Sequence, residues 1–127
     1  MQKNTGLKRL RLAGVYAFNG LVAAARHEAA FRQELLLALV LIPIALFIDI
    51  SRVERVLLIL VTVLVLLMEL LNSAVEAVVD RIGSEFHDLS GRAKDMGSAA
   101  VLVSLLLCLY VWADIVLIGK ILGTSGG

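Results

Sequence analysis

The sequence predicts an all-α integral membrane protein, with three spanning helices preceded by an amphipathic helix on the membrane surface. Three observations lead there. Of 127 residues, 60% are hydrophobic and only one is proline, and the mean hydropathy is +0.93, a balance that a soluble domain of this size does not keep. A chain this short has little interior of its own, so lipid or sister subunits must cover the remaining apolar surface. The apolar residues are also gathered into long runs separated by short polar segments, as spans and their connections require.

The net charge of +1 supplies no global argument for nucleic acid, so the basic residues matter by position. The single cysteine, Cys108, lies inside an apolar run and reads as a small buried hydrophobe. With one cysteine there is no internal disulfide, and no redox compartment is implied.

The first element is expected over residues 5–26. Lys3, Lys8, Arg9 and Arg11 precede a fairly apolar stretch ending in Ala23, Ala24 and Ala25, which superficially resembles a secretory leader. Tyr16, Asn19 and Gly20 interrupt that stretch, whereas Leu7, Leu10, Gly14, Phe18, Leu21 and Ala25 recur at helical spacing. A basic amphipathic helix lying on the membrane fits the pattern better. The first span is expected over 29–48. Its charge-free run, 35–48, has fourteen residues against the roughly 20 a span needs, and the helical approach from residue 29 supplies the rest, with Arg32 and Glu34 reaching toward headgroups. Pro43 is expected to kink this helix without ending it.

Ser51 is a plausible N-cap for a second span over 53–82, about 45 Å long and so longer than the hydrocarbon core. A polar loop is expected over 83–91, bounded by glycines and carrying Ser84, Glu85, His87, Asp88 and Ser90. The third span is expected over 92–118 and a small-residue tail over 119–127, the whole forming one membrane-embedded domain. Nine Lys and Arg residues fall in the N-terminal segment and second loop, against three in the first loop and tail. The positive-inside rule then puts the N-terminus in the cytoplasm and the C-terminus on the outer, periplasmic side.

The chemistry is concentrated in the second span. Glu69, Asn72, Ser73, Glu76 and Asp80 fall within an arc of about 100° on a helix. A charge at the bilayer centre costs at least about 2.5–3.5 kcal/mol, so this stripe must face protein, water or a cation. Interhelical hydrogen bonding accounts for Asn72 and Ser73 but poorly for three acids with no basic residue in the same stretch. Carboxylates without His or Cys partners are hard oxygen ligands suited to Mg²⁺. The deepest of them, Glu69, is the candidate general base, placed to take a proton from a lipid alcohol. Gly97, Ala100 and Ser104, small residues near helical spacing, are expected to let helices approach closely.

The segments EAAFRQE (28–34), MELLNSAVEAVVDRIG (68–83) and SEFHDLSGRAKDMGSAAV (84–101) resemble the signature of the prokaryotic diacylglycerol kinases, and the similarity runs from Arg9 to Trp112. The resemblance implies a homotrimer in the bacterial inner membrane that phosphorylates diacylglycerol with ATP and magnesium, its active sites at the cytoplasmic boundary. By position, Glu69 would be the proton acceptor, and Glu28 with Glu76 would bind the metal. Asn72 and Asp80 would complete the polar site. Arg9, Tyr16, Glu85, Phe86, His87, Lys94 and Asp95 would contact ATP, and Arg55 and Ser98 lie at family positions near the lipid. Lys94 is also the one ammonium close to the stripe, able to offset charge on a transferring phosphoryl group. Bland readings stand beside these: Arg9 as a headgroup contact, Tyr16 as an interfacial aromatic and Arg55 as an anchor at the far face. Departures from the family pattern at Phe18, Asn19, His27, Phe47 and the glycine-rich tail lie outside the stripe. Two other functions stay open: phosphorylation of a polyprenol such as undecaprenol, and a proton- or ion-conducting oligomer lined by the acids. There is no G-x-x-x-x-G-K-[ST] or kinase glycine-rich loop, so a nucleotide site here is not one of the common nucleotide folds.

Overall fold

The computed structural model describes residues 5–83 and 87–119. They form four helices: α1 (Gly6–His27), α2 (Ala29–Phe47), α3 (Arg52–Ile82) and α4 (Asp88–Trp112), the last continued by a π-helical stretch, Ala113–Ile118. Among the described residues there is no strand. α2, α3 and the combined α4 helix have 19, 31 and 31 residues and are long and apolar enough to cross a membrane. At 1.5 Å per residue they reach about 28, 46 and 46 Å, against a hydrocarbon core of about 30 Å.

The junctions show why the helices begin and end where they do. A single extended residue, Glu28, separates α1 from α2, and the Arg32 guanidinium donates to the last α1 carbonyls, those of Ala25 (2.9 Å) and Arg26 (3.1 Å). α2 runs through Pro43 without interruption. Ser51 opens α3 with a reciprocal capping box: the Glu54 amide donates to its hydroxyl (3.2 Å) and the Ser51 amide donates to the Glu54 carboxylate (3.0 Å), which satisfies two of the orphan donors every helix start carries. One turn on, Arg55 reaches back to the end of α2. Its guanidinium donates to the carbonyls of Ala45, Leu46, Ile48 and Ile50 at 2.6, 2.8, 3.3 and 3.2 Å, so one side chain closes the turn between two spans.

The helix α4 starts earlier than the sequence pattern suggests. His87 acts as its N-cap, its ring Nδ1 accepting from the Leu89 amide at 3.1 Å, so Asp88–Gly91, expected in the loop, are helical. Ser90 and Gly91, which suggested a loop, are tolerated in a first turn whose start is capped.

α3 is the hub, packed most extensively against α4 and then α2. Ala45, Leu58 and Ile115 form one buried cluster and Val61, Val65 and Cys108 another, with Val111 and Trp112 touching both. The Trp112 indole donates to the Thr62 hydroxyl (3.0 Å), which donates to the Leu58 carbonyl (2.7 Å). The polar atoms of these residues are thereby satisfied inside an apolar core. The outer surface of α2, α3 and α4 is largely Leu, Val and Ile, a composition suited to lipid or to further helices.

A carboxylate site on the third helix

The helical register of α3 carries Glu69, Asn72, Ser73 and Glu76 into one neighbourhood on the side facing α2 and α4. Glu69 is only 5% exposed and Ser73 8%. The Ser73 hydroxyl, one turn on, donates to the Glu69 carboxylate at 3.5 Å. Glu28 and Glu76 lie close enough to act electrostatically on Glu69, so the predicted base and the two predicted metal ligands share one field. Glu28 owes its place to the break between α1 and α2, and it borders a cavity of about 650 Å³ together with Ala24, Leu70, Ser73 and Ala77.

Glu34 was expected to reach toward headgroups and instead turns inward. Its carboxyl group lies beside that of Glu69 across the α2–α3 interface. Its second oxygen is buried without a hydrogen-bond partner among the described residues. Beyond Glu34 opens an apolar cavity of about 400 Å³, bounded by Ala38, Val65, Cys108 and Trp112. The site thus has an apolar side within the span and a charged side toward the α3 terminus, where Lys94 on α4 pairs with Asp80 at 2.8 Å.

Asn72 carries a similar orphan: its side-chain oxygen is buried with no hydrogen-bond partner among the described residues. An unpaired buried acceptor costs about 1–3 kcal/mol, and a water, a ligand donor or an ion would satisfy it. Three or more His, Cys, Asp or Glu side chains do not converge among the described residues, so these residues alone form no closed metal cage. Mg²⁺ needs none, because it is held by one or two carboxylates plus phosphate oxygens and water. Glu28, Glu76 and the free Asn72 oxygen fit that pattern.

The other residues assigned to the site are placed as follows along the helices. Arg9 sits on α1 about 28 Å along the helix axis from Glu28, whereas Tyr16 is next to Ala17, which borders the same cavity as Glu28 and Ser73. Tyr16 is exposed. Arg55 is fourteen positions from Glu69 on the same helix, about 21 Å away, and is engaged with the α2 carbonyls. The His87 ring is used as the α4 cap. Asp95 and Ser98 are exposed on α4, beside Lys94 and Gly97. Glu85 and Phe86 lie outside the described residues.

Residues 15–116 match the family model described as prokaryotic diacylglycerol kinase. The chain is 54% identical over 108 residues to the diacylglycerol kinase of Escherichia coli (strain K12), covering 85% of this chain and 88% of that one. It is 56% identical over 113 residues to the diacylglycerol kinase of Pseudomonas aeruginosa, covering 89% and 92%. It is 50% identical over 115 residues to that of Haemophilus influenzae, covering 91% and 98%. A stripe of acids with Glu69 buried in a spanning helix and a match along most of the chain agree, and the protein belongs to the prokaryotic diacylglycerol kinase family.

Proposed function

We propose that this protein is an ATP-dependent kinase that phosphorylates diacylglycerol to phosphatidic acid at the cytoplasmic surface of the bacterial inner membrane. The observation that carries this reading is Glu69: a carboxyl group buried in a spanning helix, beside Glu34, which borders the apolar cavity within the span, with the Lys94–Asp80 pair toward the helix end. In the proposed reaction the diacylglycerol hydroxyl reaches Glu69 from the membrane. Its oxygen forms a bond to the γ-phosphorus as the bond to the β-bridging oxygen breaks, and ADP leaves. Glu69 takes the hydroxyl proton and later returns it to water. Glu28 and Glu76 would hold magnesium, which neutralises charge on the nucleotide phosphates. Asn72, one turn from Glu69 and Glu76 on the same helix, would add its unpaired oxygen, and Lys94, paired with Asp80, is the nearby cation for the phosphates.

The reading includes a homotrimer. On α3, Leu60, Leu67 and Leu71 are 59%, 49% and 57% exposed, and sister copies would cover this face while bringing neighbouring surface helices toward each site. α1 is read as an amphipathic helix on the cytoplasmic leaflet, and the Lys and Arg distribution supports an inward N-terminus and a periplasmic C-terminus. The test is ATP-dependent lipid phosphorylation in mixed micelles, with diacylglycerol and undecaprenol as parallel acceptors. Phosphatidic acid formation is expected to dominate. Phosphorylation of undecaprenol alone, or of neither lipid, would overturn the assignment.

A further inference from the structure

Gly97 stands in the middle of α4, where glycine is a poor helix former, and its backbone adopts no conformation that requires glycine. The reason for it is space. A Cβ built on Gly97 would overlap the side-chain oxygen of Asn72, with the Asn72 Cγ at 3.2 Å and its Cα at 3.7 Å. The Cα distance is ordinary van der Waals contact, so the two helix backbones would accommodate an alanine. What cannot stay is the Asn72 amide. That amide oxygen is the buried acceptor with no partner among the described residues, one turn from Glu69 and from Glu76 on the same face.

We infer that Gly97 is a positioning residue: by carrying no side chain, it leaves the space that holds the Asn72 amide oxygen in the nucleotide–metal site. The inference rests on the kinase reading and adds to it a residue that touches neither substrate nor metal. Helix approach alone, the ordinary role of a glycine at such a crossing, predicts that alanine weakens the fold. Positioning predicts that alanine leaves the fold intact and moves one amide, and a displacement of about 1 Å in such a site costs on the order of 10²-fold in rate.

The experiment is a double-mutant cycle on the full chain in one detergent, using Gly97→Ala, Asn72→Ala and the pair. Three quantities are read: turnover with diacylglycerol, calorimetric affinity for a non-hydrolysable ATP analogue with magnesium, and the thermal unfolding midpoint. Gly97→Ala is expected to keep the unfolding midpoint while turnover falls about 10²-fold and analogue affinity weakens. With Asn72 already alanine there is no amide to displace, so adding Gly97→Ala is expected to change either quantity less than about 2-fold. Equal losses in both backgrounds would overturn the inference, as would unaltered turnover in Gly97→Ala. If Gly97→Ala fails to fold, the pair decides: a folded pair supports the amide clash, and an unfolded pair refutes it. Wild-type turnover and affinity in Asn72→Ala alone would remove Asn72 from the site and the inference with it, leaving the kinase reading in place. Failure of the wild type to phosphorylate lipid would sink that reading, while the cycle in analogue affinity would still report on Gly97.

Discussion

Replacing Arg55 by alanine removes the donor that closes the end of α2. In the native structure one guanidinium serves four carbonyls, two of them within 2.8 Å. A hydrogen bond to a charged group contributes about 1.5–3 kcal/mol. The two long contacts count for less, and the Leu46 carbonyl is exposed, so water replaces part of what is lost. A cost of about 2–4 kcal/mol in unfolding free energy follows. Lysine retains the charge but not the planar fork, so Arg55→Lys should recover less than half. The assay is reversible unfolding by SDS titration in mixed micelles, with turnover and the apparent KM for diacylglycerol measured under non-denaturing conditions. Loss of stability with an unchanged lipid KM identifies Arg55 as a clamp. Unchanged stability with a raised lipid KM would refute this reasoning and restore the role that family position implies.

Two further perturbations test the interior. Glu34→Gln offers Glu69 a donor but cannot exchange a proton with it; because Glu34 acts only through Glu69, turnover is expected to fall roughly 10-fold, less than the roughly 10²–10⁴-fold of direct proton transfer, with nucleotide affinity intact by calorimetry. Wild-type turnover in Glu34→Gln would show that the carboxyl contact has no part in the reaction. Trp112→Phe removes the indole donor to the Thr62 hydroxyl, which retains its own bond to the Leu58 carbonyl, so a cost of about 1 kcal/mol in SDS unfolding is expected. In a Thr62→Val background that cost should largely vanish, and an undiminished cost would assign it to packing instead.

The acid stripe was legible because lipid makes unpaired charge expensive: Glu69, Glu76 and Asp80 within an apolar run must face something other than hydrocarbon. Ser51 with Glu54 was legible in part, since local capping depends on residues three apart. What stayed hidden was set by contacts between helices. Glu34 follows Arg32 and Gln33 and reads locally as an approach to headgroups, and only the docking of α2 on α3 turns it toward Glu69. Arg55 looked like an anchor because its four acceptors are backbone groups, which no sequence pattern displays. Gly97 was read correctly as a place of close approach, but what it approaches is a property of the packed pair. The π-helical stretch Ala113–Ile118 has no signal in its residue types that we recognise.

In the proposed mechanism Glu69 acts on the hydroxyl while Glu76 acts on the metal-bound nucleotide, and one paired measurement separates the two roles. Glu69→Gln and Glu76→Gln are to be compared in the same detergent, with turnover in mixed micelles beside calorimetric titration of a non-hydrolysable ATP analogue with magnesium. Removing general-base assistance costs roughly 10²–10⁴-fold, so Glu69→Gln should lose turnover on that scale and bind the analogue within about 2-fold of the wild type, a difference typical of sites that do not interact. Glu76→Gln should lose both. If Glu69→Gln loses nucleotide affinity as severely as Glu76→Gln, Glu69 belongs to the metal site and the general-base role falls.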